Sequence, residues 1–444
     1  MTLNRRQFAG RSLAAAFAGL AACSHRAGVA ASSKSPLGPL QKDPAGLLDL
    51  PQDFSYRIIS AFGDPMDDGG TVPDRADGMG AFAGPGGQVI LVCNHELAVR
   101  HVRDAGYGAA AARATAYDRT ADGNALGGGT TTLHYDPAAG KVVRQFRSLS
   151  GTIRNCAGGI TPWGSWLSCE EDVSRAGYGG IGADHGYVFE IPAAATGETP
   201  AVPLKAMGRF NHEAAAVDPR TGIVYMTEDR DDSLLYRYIP DVPGQLAGGG
   251  QLQALALAVA DTRNWAARTL AVRAPQSARW ITLDNPESPA DDLRMRGAAL
   301  GCTLFARGEG IKYGDGALYF TCTSGGAAKL GQVFRLRPGR ARKADKIDLY
   351  YESTTPSGLN FGDNLTVAPG GCLIISEDQY SDPVDNHVRV ITPRGDSFAL
   401  ARLRVQTESA GACFAPDGRT LFLNIYSPAK TLAISGPWQK LLKA

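Results

Sequence analysis

The sequence predicts an all-β chain closed into a six-bladed β-propeller with inserted loops and short helices, and three observations carry that prediction. One unit recurs along the chain, made of a β-rich run, a tight turn of the Asp-Gly or Pro-Gly-Gly kind, and a second run closing on acids. Turn formers are abundant, with 54 Gly and 26 Pro, while charged residues make up only 20%. No linker-like run divides the units, so 444 residues read as one large ring rather than a string of small domains.

Taken in order, residues 1–31 read as an address. Asn4-Arg5-Arg6-Gln7-Phe8 resembles a twin-arginine export signal, and Leu13 to Ala22 supplies a weakly apolar stretch too short to span a bilayer. That stretch runs into Leu20-Ala21-Ala22-Cys23, which looks like a lipoprotein cleavage box with Cys23 as acceptor. The other reading is ordinary cleavage near Ala30-Ala31, with Cys23 discarded. Twin-arginine export carries folded proteins past the translocase, so the expected destination is the periplasm or cell envelope, with membrane attachment only through a lipid on Cys23. Residues 32–51, rich in Ser, Pro, Gly and Lys, read as a flexible linker, and 52–444 as the propeller domain.

The six units are Met79 to Glu96, Cys156 to Glu171, Glu213 to Asp229, Glu309 to Cys322, Asp363 to Asp378 and Glu408 to Asn424. Outer strands follow most of them, as at Gly186 to Pro192, Leu234 to Pro240, Gln332 to Leu336 and Val388 to Thr392. Segments 97–127 and 244–300 interrupt the rhythm. The first is Ala-rich with helical character, and the second reads as a helical stretch followed by a polar, Pro-rich loop. Cys93, Cys169, Cys322 and Cys372 lie in apolar runs and read as buried small hydrophobes, whereas Cys156 precedes its strand in a glycine-flanked turn. Lys and Arg (45) balance Asp and Glu (44), which leaves no global field for nucleic acid.

The chemistry gathers where the units begin. Glu213, Glu309 and Glu408 head three first strands, with Asp363 in the same place in a fourth and Cys156 in a fifth. In a propeller the first strand of each blade lines the central channel, so these side chains aim at one axis. Unpaired carboxylates converging there repel one another, and multivalent cations resolve the repulsion. Carboxylates favour hard ions such as Ca²⁺ or Fe³⁺, and a thiolate favours iron or zinc at its own position. Glu96, in Asn94-His95-Glu96, is either a further ligand or a strand end. His212 reads as a hydrogen-bonded neighbour of Glu213 rather than a ligand. The pairs Glu170-Glu171, Glu228-Asp229 and Glu377-Asp378 fall at second-strand ends, where structural hydrogen bonding is expected. Arg307, two residues from Glu309, is a fixed cation suited to phosphate oxygens, and Arg154, near Cys156, is a second. There is no P-loop, no Gly-x-Ser-x-Gly elbow, no His-Glu-x-x-His and no Rossmann fingerprint.

Several segments together resemble the PhoX-type alkaline phosphatases. They are Arg154-Asn-Cys-Ala-Gly-Gly-Ile-Thr-Pro-Trp-Gly-Ser-Trp-Leu-Ser-Cys-Glu-Glu171, Arg209-Phe-Asn-His-Glu213, Arg307-Gly-Glu-Gly310, Gly362-Asp-Asn-Leu365 and Glu408-Ser-Ala-Gly-Ala-Cys-Phe-Ala-Pro-Asp-Gly418. The resemblance runs from about 54 to 435, and its most specific part is the cysteine segment. It implies an exported phosphomonoesterase whose six-bladed propeller holds two Fe³⁺ and three Ca²⁺ with a bridging oxo group. It also implies that Cys156, Glu213 and Glu309 are iron-side ligands, that Asp363 and Glu408 serve calcium, and that Arg307 holds the phosphate. Arg307, Cys156 and Glu309 are then the candidate catalytic residues, and phosphate esters the partners. Two other classes fit the same sequence: a calcium-dependent lactonase-like propeller with no need of Cys156, and a non-catalytic envelope protein that binds through one propeller face.

Overall fold

The computed structural model of the protein describes residues 35–107, 115–340 and 343–443, so the signal reading and Cys23 lie outside the described residues. Six antiparallel sheets form the blades. Blade 1 holds Ala76–Ala83, Val89–His95, Gly128–Asp136 and Lys141–Thr152, and blade 2 holds Asn155–Ile160, Ser165–Glu170 and Val188–Pro192. Blade 3 runs His212–Val217, Val224–Glu228, Tyr236–Pro240 and Gly250–Ala256, with Arg279–Thr282 on its edge. Blade 4 runs Gly308–Gly314, Ala317–Cys322, Gln332–Arg337 and Lys346–Glu352, edged by Gln276–Ser277. Blade 5 runs Gly362–Val367, Leu373–Glu377, His387–Ile391 and Ser397–Leu403, and blade 6 runs Ser409–Phe414, Thr420–Ile425, Lys430–Ser435 and Ser55–Ala61. The innermost strands touch one another in a closed cycle, blade 1 against 2 and onward to blade 6 against 1.

A blade is buried on both faces, which is why its strands read as unbroken apolar runs such as Val89-Ile-Leu-Val-Cys93, buried throughout. Each gap between neighbours has its own core. Val92 and Leu149 meet Trp166 and Phe189 between blades 1 and 2, for example, and Ile311 and Phe320 meet Ala214 and Tyr225 between blades 3 and 4. Inner strands come so close that a Cβ on Gly159 would collide with the Ala215 carbonyl, and one on Gly78 with the Ala157 backbone. The ring is sealed in blade 6, where Ser55–Ala61 pairs antiparallel with Lys430–Ser435.

Two expectations change. Residues 35–51 are not a flexible linker. Leu48–Pro51 adds to the outer strand of blade 5 through Leu48 opposite Leu403, and Leu40–Gln41 pairs with it in turn. Leu37, Leu47, Leu48 and Leu50 are buried against blades 5 and 6, and truncating one such leucine to alanine costs about 2–5 kcal/mol. Spaced apolar residues outweigh the Pro and Gly between them. The helical stretch expected ahead of the Pro-rich loop in 244–300 is also not found there, because Gly250–Ala256 is the fourth strand of blade 3, with Leu252 and Ala254 buried by period-two alternation. Helix in 244–300 is confined to Leu293–Ala299 and a 3-10 turn at Leu246–Gly248. In the first insertion a 3-10 helix spans Val99–Ala105, while 108–114 lie outside the described residues. All seven cysteines among the described residues are buried and free.

Candidate active site

Every inner strand carries the same irregularity. The register to the second strand shifts between Ala76 and Met79, Asn155 and Gly158, His212 and Ala215, Gly308 and Ile311, Gly362 and Leu365, and Ala410 and Cys413. Such a bulge re-aims the side chains inside it. In five blades its first residue is an acid or thiol, namely Asp77, Cys156, Glu213, Glu309 and Asp363. A second frame repeats with it. The residue just past the second strand donates its N–H to the carbonyl of the residue just before the first, as Glu96 does to Arg75, Glu171 to Arg154, Asp229 to Asn211, Thr323 to Arg307, Asp378 to Phe361 and Tyr426 to Glu408. Glu408 is therefore in register with Arg75, Arg154 and Arg307, not with Glu213 and Glu309. Its blade has Gly411 and Ala412 in the bulge.

These two frames bring the acids into one open cavity of about 520 Å³, lined by Asp77, Glu96, Cys156, Glu171, Glu213, Asp229, Glu309, Asp363, Asp378 and Glu408 together with Arg154 and Arg307. Three sets each have donor atoms within 4.8 Å of one another: Cys156, Glu171 and Glu213; then Glu213, Glu309 and Asp363; then Asp363, Asp378 and Glu408. Glu213 and Asp363 are shared, so the sets form one continuous string from blade 2 to blade 6. Of the sequence candidates, Cys156, Glu213, Glu309, Asp363 and Glu408 fall within it. Glu96 stands beside it, accepting from Arg154 Nε at 2.6 Å and from the Tyr426 hydroxyl at 2.5 Å.

The paired acids at second-strand ends divide in a way the sequence reading did not foresee. The first member of each is structural: Glu170 accepts from the Ile153 and Gly186 amides, Glu228 from the Tyr236 hydroxyl, and Glu377 from Arg389. The second member, Glu171, Asp229 or Asp378, faces the cavity, since adjacent residues of an extended chain point opposite ways. Asp77 was also missed. Asp77-Gly78 has the form of Glu309-Gly310, which was the available signal. Asn94 and His95 do not reach the site. Asn94 donates to the carbonyls of Cys156 and Ala157, and His95 lies between the Asp74 carbonyl and Thr131. His212, stacked on Phe210 and bonded to the Gly208 carbonyl, is no ligand either.

Electrostatics shows what the cavity needs. Burial first, and neighbouring carboxylates second, push Asp77, Glu213, Glu309 and Glu408 well above the usual carboxylate range and Asp363 up to about 7. Burial and the same acids push the Cys156 thiol up. Both carboxylate oxygens of Glu213 and Oδ1 of Asp77 are buried with no hydrogen-bond partner among the described residues, a costly state for an acid. Multivalent cations relieve all of this together, so the donor set fits them: a thiolate with two carboxylates at one end and all-oxygen sets along the rest.

Two arginines border the string, each in the left-handed region, Arg154 at φ 47° and Arg307 at φ 52°. Arg154 bridges Glu96 and Glu171, the latter at 2.5 Å. Arg307 is bidentate on Asp229 and reaches Glu309. Burial opposes both charges, and the adjoining carboxylates overcome it and keep them protonated.

The family described as alkaline phosphatase PhoX matches residues 35–429, nearly the whole described chain. The chain belongs to the PhoX alkaline phosphatase family. It is thereby placed among phosphatases. Pseudomonas fluorescens PhoX, solved in complex with vanadate described as a transition state analogue, superposes with a TM-score of 0.68 at 20% identity, covering 88% of this chain and 96% of that one. A gluconolactonase from Xanthomonas campestris aligns with a TM-score of 0.38 at 13% identity over 91% and 99% of the two chains. No curated protein sequence matches. The PhoX likeness covers all six blades and bears on the fold.

Proposed function

We propose that this PhoX family member is a metal-dependent phosphomonoesterase acting at the mouth of the propeller channel. The observation that carries the reading is the continuous string of Cys156, Glu171, Glu213, Glu309, Asp363, Asp378 and Glu408, bordered by two half-buried arginines. Cys156 with Glu171 and Glu213 would hold iron, Glu309 would share it with the middle of the string, and Asp363, Asp378 and Glu408 would hold calcium, with two Fe³⁺ and three Ca²⁺ as the proposed complement. When bound, these cations supply Lewis-acid neutralisation of the phosphoryl group and lower the pKa of water.

The protein's own groups do the rest. Arg307, fixed in direction by Asp229 and Glu309, donates to the equatorial phosphoryl oxygens and stabilises the charge that builds on them. Arg154, tied to Glu96 and Glu171, orients those two acids and offers a second cation to the phosphate. The vanadate in the Pseudomonas relative, described there as a transition state analogue, supports a phosphoryl-transfer site. Arg5-Arg6 and the apolar stretch behind them support export by the twin-arginine route to the cell envelope, with Cys23 as a lipid acceptor. The test is elemental analysis of protein exported in a native-like host, paired with hydrolysis of p-nitrophenyl phosphate. Iron and calcium with alkaline hydrolysis, lost on calcium chelation, are expected. A fully metal-loaded protein that leaves the ester intact would overturn the reading.

A further inference from the structure

The cavity wall extends beyond the string of acids, to Arg100, His101 and Tyr380, which belong to none of the three donor sets and are free to meet the rest of the ester. Arg154 and Arg307, tied to the acids of the floor, serve the transferred phosphoryl group, which leaves the leaving group to other residues. On the wall stands the 3-10 helix Val99–Ala105, which brings Arg100 and His101 to the cavity. Arg100 is exposed and pairs with no carboxylate among the described residues. His101 is fixed by a reciprocal pair, its N–H donating to the Ala98 carbonyl at 2.8 Å and its Nδ1 accepting from the Ala98 N–H at 3.2 Å. An accepting Nδ1 requires the proton of the neutral ring on Nε2, which has no partner among the described residues. The rim thus presents a fork of guanidinium donors beside an oriented imidazole N–H. Burial, then the charges of Arg75 and Arg100, hold the His101 pKa below its usual value, in keeping with a guanidinium close by.

We infer that Arg100 and His101 form a subsite for a second anionic group, so that the preferred substrates are phosphomonoesters carrying another phosphate or carboxylate on the leaving group. This rests on the phosphatase reading and adds the substrate class. A guanidinium takes a phosphate or carboxylate in bidentate fashion, and the His101 Nε2–H adds a third donor. An ester with a neutral leaving group makes no use of either. Tyr380, exposed on the cavity wall with its ring 5.8 Å from the Arg307 guanidinium, is the competing recognition element, and it would select aromatic leaving groups instead.

The experiment compares metal-loaded protein on fructose 1,6-bisphosphate and fructose 6-phosphate, with p-nitrophenyl phosphate alongside, in wild type, Arg100→Ala, Arg100→Lys and Tyr380→Ala. The subsite predicts that wild type favours the bisphosphate in kcat/KM by about tenfold, the worth of one charge-assisted bond. Arg100→Ala should bring that ratio close to one through KM rather than kcat, and Arg100→Lys should restore part of it. Hydrolysis with a ratio that Arg100→Ala leaves unmoved overturns the subsite and spares the phosphatase reading. A preference for p-nitrophenyl phosphate lost in Tyr380→Ala overturns it in favour of aromatic recognition. No turnover of any ester removes both.

Discussion

Arg307 and Asp229 lie fork to fork, Nε 2.7 Å from Oδ1 and Nη2 3.1 Å from Oδ2, while the same Nη2 reaches Glu309 at 2.8 Å. Arg307→Lys keeps a charge and loses the fork, and Arg307→Ala also leaves buried Glu309 and partly buried Asp229 without their partner. Steady-state hydrolysis of p-nitrophenyl phosphate should fall by about 10²-fold or more in kcat/KM for Arg307→Ala, with Arg307→Lys between it and wild type.

Cys156 is the one sulfur among the three donor sets. Cys156→Ala removes the soft ligand and leaves the all-oxygen sets untouched, so elemental analysis should show iron lost and calcium largely kept. The substitution is small and buried, and blade 2 should fold without it. Iron retained at the wild-type level would remove Cys156 from the ligand set.

Stripped of cations, the protein should become less stable as pH rises. The folded-state pKa values of Glu213, Glu309 and Glu408 lie well above their unfolded values, and that of Asp363 lies at about 7. Between about pH 4 and 7 the folded state therefore binds more protons than the unfolded one, and the slope of stability with pH is negative. Thermal melts of chelated protein across that window should show a falling Tm. Glu213→Gln should raise the Tm of chelated protein and lower that of metal-loaded protein, a crossing that a plain packing defect does not produce.

His185 gives a dependence at higher pH. It is fully buried, with Nδ1 2.6 Å from Glu170 and Nε2 3.1 Å from Asp118. Burial disfavours its charge, and the two carboxylates outweigh burial and lift its pKa to about 9. Its contribution is complete below the unfolded value near 6.5 and is lost as pH climbs through about 9, on the order of 3 kcal/mol. Denaturation of metal-loaded wild type between pH 6 and 10 should reveal that decline, and His185→Gln should flatten it.

The blade count and most of the string of acids that meet in the cavity were legible because their signals are local. Pro85-Gly-Gly87 and Asp417-Gly418 mark hairpins, and Cys156 stands apart from the apolar cysteines by its glycines. What was not legible depends on register. Whether Glu170 or Glu171 faces the cavity turns on a single residue of strand pairing, and the bulge that aims Asp77 cannot be seen in a sequence whose neighbouring strand is unknown. Glu408 illustrates the same limit from the other side: an acid at the head of a repeat, correctly drawn to the cavity, yet standing in the position that arginine takes in blades 1, 2 and 4. Arg100 and His101 carry no motif, since an insertion sets their place.

The seam between Ser55–Ala61 and Lys430–Ser435 has a consequence for biosynthesis. Glu96 takes the hydroxyl of Tyr426 across 330 residues of chain, and Asn424 holds the Asp77 carbonyl across 347. A nascent polypeptide still attached to the ribosome through its last blade lacks those partners, whatever the blades already formed. Closure of the ring therefore waits on the last blade, and a stop codon ahead of Asn424 should yield a product that lacks both contacts and the seam strand and does not close.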